Sequence, residues 1–241
     1  SDTGIDRYPT PKIFFQLSQQ FDQVISWFGT TNIDFAQSVK RVHKQVKFLP
    51  FLPDRPNQHL TDFRTLQLET IFGKLSNYKT IPEICWDTDA HWYPEELLGH
   101  SQDKNRVAIH PGASGLQKQW AINNFSDLAI SLTNDRKLES FLIQGPLDRN
   151  PVSMLSSSLE KTRMPFQKIQ VKSLSQLAAI LSHFQLYVGN DSGITHLAAF
   201  LGIPTVAIFI STNPLIWSPR GSHVTVLKQP TVEQVLSNIP H

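Results

Sequence analysis

The stretch LYVGNDSGITHLAAFLGIPTVAIF, Leu186 to Phe209, decides the fold. A short apolar run (Leu186, Tyr187, Val188) meets the polar turn Gly189, Asn190, Asp191, Ser192, Gly193. A helical pattern follows, stops at Gly202, passes Pro204 and enters a second apolar run. This order reads as strand, turn, helix, strand. Within the helix, Ile194, Leu197, Ala198 and Leu201 fall at i, i+3, i+4 and i+7, and are expected to form its buried stripe. His196 then shares a face with Ser192 and Gly193. Asp191 or Ser192 is expected to cap the helix. The free amide groups of its first turn favour an anion, and Gly193 leaves the backbone open to close approach.

The same alternation extends outward in both directions. RVAIH (Arg106–His110), SFLIQG, KIQV and HVTVLK read as strands; NFSDLAISLTND, SLSQLAAILSHF and TVEQVLSNI read as helices, with Ser173 able to cap the second. Toward the N-terminus, FDQVISWFG and QVKFLPFLP read as strands, and IDFAQSVKRV as a helix. QHLTDFRTLQLETIFGKL reads as a longer helix with Leu60, Phe63, Leu68, Ile71 and Phe72 facing inward. Apolar strand runs without period-two alternation indicate parallel sheets covered on both faces. The expected class is α/β. Residues 1–80 read as a partial Rossmann-like domain, 81–104 as a linker and 105–241 as a nearly complete doubly wound domain.

A second segment, AIHPGASGLQKQW, leaves the RVAIH strand through Gly112, Ala113, Ser114 and Gly115 to reach Lys118 and Trp120. Small residues after a strand leave backbone amides free to meet phosphate oxygens. Lys118 supplies a point charge suited to phosphate, and Trp120 is placed to fix the loop or to pack beside a ligand. The segment is neither a P-loop, which ends in Gly-Lys-Ser/Thr, nor a G-x-G-x-x-G dinucleotide fingerprint. Ligands of open α/β sheets bind at the carboxyl ends of the strands. The loop Ser114–Lys118 and the turn Asp191–His196 are therefore expected side by side, at the ends of neighbouring parallel strands.

Composition narrows the field. The 241 residues carry a net charge of +2 and are 40% hydrophobic, which suits one large domain or two small ones. No run approaches the roughly 18 apolar residues of a membrane span. The charge gives no reason to expect nucleic acid as a partner, and no secretory signal is visible. The single cysteine, Cys85, excludes an intrachain disulfide and is read as packing. Asp87, Asp89 and His91 alternate as metal ligands do, yet no metal is expected there. His59 and Asp62 are read as setting a helix start, and Arg220 as a surface residue. Ser192 beside His196 is not read as a nucleophile pair, because G-x-S-x-G is absent.

Taken together, HPGAS…K-x-W, VGNDSGITHLAAFLGIPTVAIF and NPLIWSP resemble glycosyltransferase family nine, the ADP-heptose:lipopolysaccharide heptosyltransferases and their relatives. The resemblance runs from about Phe21 to the C-terminus and is strongest from Val107. It implies a GT-B fold, two Rossmann-like domains facing a cleft. It also implies a nucleotide-diphospho-sugar donor, ADP-heptose foremost, and a hydroxyl of a lipopolysaccharide core or related glycan as acceptor. Ser114 and Lys118 would meet the phosphate or sugar side of the donor. Asp191, Ser192, Gly193 and His196 would hold its diphosphate and ribose region, with Gly112 and Trp120 supporting the loop.

The resemblance implies no metal or other cofactor. It places the enzyme in the cytoplasm, at the inner face of the bacterial inner membrane, with peripheral membrane contact. The family's catalytic acid sits on a first strand and Gly-rich turn that have no counterpart here. No catalytic residue is assigned, the first domain is expected to be incomplete, and this chain alone is expected to transfer no sugar. Ile210 stands where members usually carry glycine and is expected to reshape the base pocket. The rival class is a non-catalytic nucleotide-binding or structural remnant. An epimerase on the same fold would need a catalytic acid pair that the sequence does not place.

Overall fold

The computed structural model describes residues 20–75, 98, 105–171 and 173–239. The chain divides into two compact units, 1–76 and 77–241. Cys85, Asp87, Asp89 and His91, and the predicted linker apart from Leu98, lie outside the described residues.

The first unit is built on one parallel β–α–β step. Strand β1 (Val24–Ser26) pairs with β2 (Val46–Phe48), Val24 opposite Val46, and helix α1 (Ile33–Val42) connects them. Asn32 caps α1 by accepting from Phe35 N, while Lys40 and Arg41 lie in its last turn, where the helix dipole favours cations. Gly29, at φ +117°, turns the chain between β1 and α1; a Cβ there would press on the rings of Phe35 and Phe48 at 2.9 Å. Phe28, Phe35 and Phe48 meet edge to face around this turn. Helix α2 (Leu60–Phe72) starts at His59, whose ring accepts from Thr61 N, and ends at Gly73. Its expected inward face is only partly formed. Leu60, Phe63, Leu68 and Ile71 are half-buried, but Phe72 is 60% exposed and no residue of the helix is fully buried.

The second unit is a six-stranded, all-parallel sheet. Its strands are β3 (Arg106–His110), β4 (Glu139–Gln144), β5 (Phe166–Gln170), β6 (Leu186–Asn190), β7 (Thr205–Phe209) and β8 (Val224–Lys228). They lie in the order β5-β4-β3-β6-β7-β8. Every residue of β3, β6 and β7 is buried. The reason shows in the parity of their side chains. Val107, Ile109, Leu142, Val188, Val206 and Ile208 point into one core, with helices α3 (Ile122–Arg136), α4 (Arg149–Lys161) and α8 (Val232–Ser237), the last preceded in the chain by the one-turn α7 (Pro214–Trp217). Ala108, Phe141, Ile143 and Tyr187 point into the other, with α5 (Leu174–Leu181) and α6 (Gly193–Phe200). Both faces are apolar, so hydropathy does not alternate along the strands.

Two details differ from the sequence reading. Helix α4 is not predicted by patterning, since four serines dilute the apolar run of Val152, Leu155 and Leu159 and Pro151 stands in its first turn. A proline is tolerated there. The buried Ser156 donates to Val152 O, and the half-buried Ser158 to Ser126 Oγ. In α6 the stripe is rotated from the expected one. Thr195, Ala198 and Ala199 are fully buried, whereas Ile194, Leu197 and Leu201 are only partly buried flanks. Small residues face the sheet because the short helix lies close against it, and the larger ones fill the gaps beside it.

Candidate functional site

The sheet order reverses between β3 and β6, the first strand and the fourth of the second unit. A crevice opens at such a point, because the chain leaves the two adjacent strands toward opposite faces. Both signature segments emerge there, with His110 opposite Gly189 at the carboxyl ends. The predicted neighbourhood of the two loops is therefore present.

Asn190, fully buried at the last position of β6, ties the loops together. Its amide donates to Pro111 O at 2.8 Å and accepts from Trp120 N at 2.9 Å. Trp120 is buried against Phe125, and its indole N–H donates to Pro230 O at 2.9 Å. Of the two roles open to it, the structure gives Trp120 that of fixing the loop. Between these anchors the chain makes one 3-10 turn, Leu116–Lys118, which brings the lysine back toward β6.

Lys118 Nζ donates to Asp191 Oδ2 at 2.9 Å, and Thr212, after β7, donates to the same oxygen at 2.8 Å. The Asp191 carboxylate is 8% exposed and Lys118 25% exposed. Two donors thus hold a buried acceptor, and the cation keeps one side in water. The helix cap falls to Ser192 and not to Asp191: Ser192 Oγ accepts from Thr195 N at 3.4 Å. Gly193 is exposed, and a Cβ on it would meet nothing within 4 Å. Among the described residues nothing requires glycine at the first position of α6. Ser114 is exposed on the neighbouring loop. His196 is half-buried with its ring 6.2 Å from that of Phe200. Ile210 packs against the core shared with α3 and α8. Arg220 is half-buried.

Beneath the cap runs a chain of polar groups that the sequence reading missed. Asp148, in the turn after β4, has Oδ2 2.9 Å from His110 Nε2, and the same oxygen accepts from Gly145 N at 3.1 Å. The other ring nitrogen, Nδ1, lies 3.4 Å from Ser192 Oγ. Ser192 Oγ is 3.1 Å from Thr195 Oγ1, which is 3.1 Å from the Tyr187 hydroxyl and donates to Asn190 O. The hydrogen bond from His110, with that from Gly145 N–H, holds the Asp148 carboxyl below its ordinary range against the opposing effect of burial. Burial pushes the Tyr187 hydroxyl well above its usual range, so it remains a donor. Gly112 makes room for this chain: a Cβ there would stand 2.1 Å from Asp148 Oδ1. Each missed residue sits at or just after a strand's carboxyl end. Inspecting every such end, and not only the two Gly-rich ones, would have found His110, Asp148 and Thr212.

The described residues contain no cluster of three or more His, Cys, Asp or Glu able to hold a metal ion. Among them no helix is long and apolar enough to cross a membrane.

The sheet order and the polar crevice at its switch point define a Rossmann-like ligand-binding domain. The model of glycosyltransferase family 9 (heptosyltransferase) matches residues 57–236, and the chain belongs to this family. It is 28% identical over 123 residues to lipopolysaccharide heptosyltransferase 3 of Escherichia coli, a match covering 50% of this chain and 36% of that protein. Among solved structures it is similar to the E. coli ADP-heptose lipopolysaccharide heptosyltransferase II, with a TM-score of 0.70 and 18% identity over 92% of this chain and 72% of the other. It is also similar to E. coli heptosyltransferase WaaC with ADP, with a TM-score of 0.64 and 18% identity over 93% and 72%. The fold is accordingly GT-B-like, two Rossmann-like units with parallel sheets, of which the first has two strands among its described residues. The chain spans between 36% and 64% of the length of the curated relatives it matches.

Proposed function

We propose that the chain is part of a glycosyltransferase that moves a heptose or similar sugar from a nucleotide-diphospho-sugar to a hydroxyl of a lipopolysaccharide core or related glycan. ADP-heptose is the donor we favour, since one of the similar structures is named for it and another is described with ADP. The observation that carries the reading is the meeting of Lys118 and Asp191 across the switch point, at the open N-terminus of α6.

In this reading the donor diphosphate lies against the first turn of α6. Backbone amides and Ser192 meet its oxygens there, and Gly193 leaves the approach clear. Lys118, oriented by Asp191 and Thr212, supplies the compensating charge. Ser114 borders the site from the opposite loop, and His196 lines its far side toward the ribose. As the sugar departs, negative charge grows on the leaving diphosphate, and the same groups stabilise it. The acceptor hydroxyl needs a general base, which we assign to none of the described residues. A nucleotide-sugar donor sets the reaction in the cytoplasm, with the glycan presented at the inner face of the inner membrane.

Calorimetric titration tests the donor site. Lys118→Ala should weaken ADP by about ten- to a hundredfold, the equivalent of one charge-assisted contact. Adenosine has no phosphate for the lysine to meet, so its affinity should hardly move. Equal losses for both ligands, or no ADP binding by the unaltered chain, would sink the reading.

A further inference from the structure

His110 ends β3 with only 2% of its surface exposed, and both ring nitrogens are engaged. The Asp148 carboxylate can only accept, so Nε2 carries a proton. In the neutral ring Nδ1 is then an acceptor, and Ser192 must donate to it. The hydroxyl proton of Ser192 has a second inward acceptor, Thr195 Oγ1, whose own proton goes to Asn190 O. In either case Ser192 turns its proton into the protein, one lone pair accepts from Thr195 N, and the other faces whatever lies at the first turn of α6. A diphosphate oxygen is also an acceptor. With the ring neutral, Ser192 and the ligand would set lone pair against lone pair.

We infer that His110 is a positioning residue for the donor site: held by Asp148, it takes up a proton when a diphosphate binds, donates from Nδ1 to Ser192, and so turns the Ser192 hydroxyl outward as a donor. The inference rests on the proposed diphosphate position. The proton comes from the buffer acid, and no covalent bond changes. Two features make the exchange favourable. The dianionic ligand attracts a cation beneath it, and the Asp148 carboxylate already lies against the ring, so the new charge is paired when it forms. The other titratable groups around His110 do not substitute for it. Tyr187, reached through Thr195, keeps its proton. Lys118 and Asp191, in the two flanking loops, are paired with each other. Gly112 has the corresponding steric role: any side chain there would drive the Asp148 carboxylate off the imidazole.

The experiment uses ADP-glucose, a diphosphate diester whose phosphates do not titrate near neutrality. Its binding to the whole chain is measured by calorimetry in two buffers of different ionisation enthalpy. The unaltered chain should take up protons on binding. His110→Gln keeps an amide donor toward Asp148 but has no second proton to gain. It should show no uptake and bind the diphosphate about tenfold more weakly, while adenosine binds as before. The ring nitrogen resonances of His110 in the unaltered chain give a second readout that needs no variant; they should move to the doubly protonated position on saturation. Binding without proton uptake, uptake that survives in His110→Gln, or an unchanged ring would overturn the inference and leave the donor site standing. Failure of the unaltered chain to bind ADP-glucose or ADP would remove both.

Discussion

The two units place similar amounts of chemistry in very different surroundings. In the larger, Asn190 and Thr195 are fully buried, His110 nearly so, and each has bonded partners. In the smaller, the strands are three residues long with no fully buried position, and Phe21, Phe28, Ile33, Phe51 and Phe72 are each 45% exposed or more. Its polar anchor is a different kind of contact. The Arg64 guanidinium lies 5.2 Å from the Trp27 ring and 5.0 Å from that of Phe51, and Trp27 donates to Gln67 at 2.7 Å. A polar group can be held to one geometry where the alternative is an unpaired group out of water. At Arg64, whose ring partners are partly exposed, stacking does the holding, and each contact is worth less.

The sharpest way to break this contrast is at Asn190. Asn190→Ala leaves Pro111 O and Trp120 N buried without partners, at about 1 to 3 kcal/mol for each group. A loss of about 3 kcal/mol by denaturant unfolding is expected, with faster amide exchange in residues 111–120. A loss under about 1 kcal/mol would show that the loops hold themselves. Gly112→Ala comes next. Its Cβ would overlap Asp148, and overpacking of this kind costs about 1 to 3 kcal/mol. Combining it with Asp148→Ala should recover part of that loss, whereas strictly additive effects would place the strain elsewhere. Arg64→Ala in the smaller unit should cost only about 1 to 2 kcal/mol, from two partly exposed cation–π contacts, read as amide exchange within residues 20–75. A loss there as large as at Asn190 would erase the comparison.

The smallest expected effect depends on pH. Asp148 has a pKa below its unfolded value. Its contribution to stability is therefore complete above the ordinary aspartate range and is lost as pH falls through the lower folded value. Asp148→Asn should flatten that acid limb of a melting-temperature profile. A parallel profile, merely displaced, would mean that the carboxylate is no better held in the folded protein than in the unfolded one.

Much of this was readable from residues alone. The alternation of apolar runs and helical patterns set the class, since strands buried on both faces leave no other reading of Val107–Ile109 or Val206–Phe209. Lys118 and Asp191 stood out because small, polar residues at strand ends have few other reasons to cluster. The rotation of the α6 stripe escaped, because the spacing of Ile194, Leu197, Ala198 and Leu201 places Ala198 correctly but does not tell that Thr195 and Ala199, and not the larger residues, flank it against the sheet. Helix α4 escaped because serines that bond within the helix or to one another look polar in a sequence yet are buried or half-buried in the fold. His110–Asp148 was the hardest to see. The pair is 38 residues apart, and nothing in either segment announces the other until β3 and β4 lie side by side.

The indole of Trp120 has a consequence for how the chain acquires its shape in time. Its partner, Pro230 O, is 110 residues downstream, and the Lys118–Asp191 contact closes over 73. Contacts of such long range form late, because loop closure must precede any reward from them. As the polypeptide emerges from the ribosome, β3 can pair with β4 early, but the loop beyond β3 has no ceiling until β8 has followed. The crevice is therefore among the last parts of the second unit to be completed. The emission of Trp120, quenched or shifted only when its ring is enclosed, would lag behind the growth of helix signal during refolding and would time the moment at which a ligand can first be held.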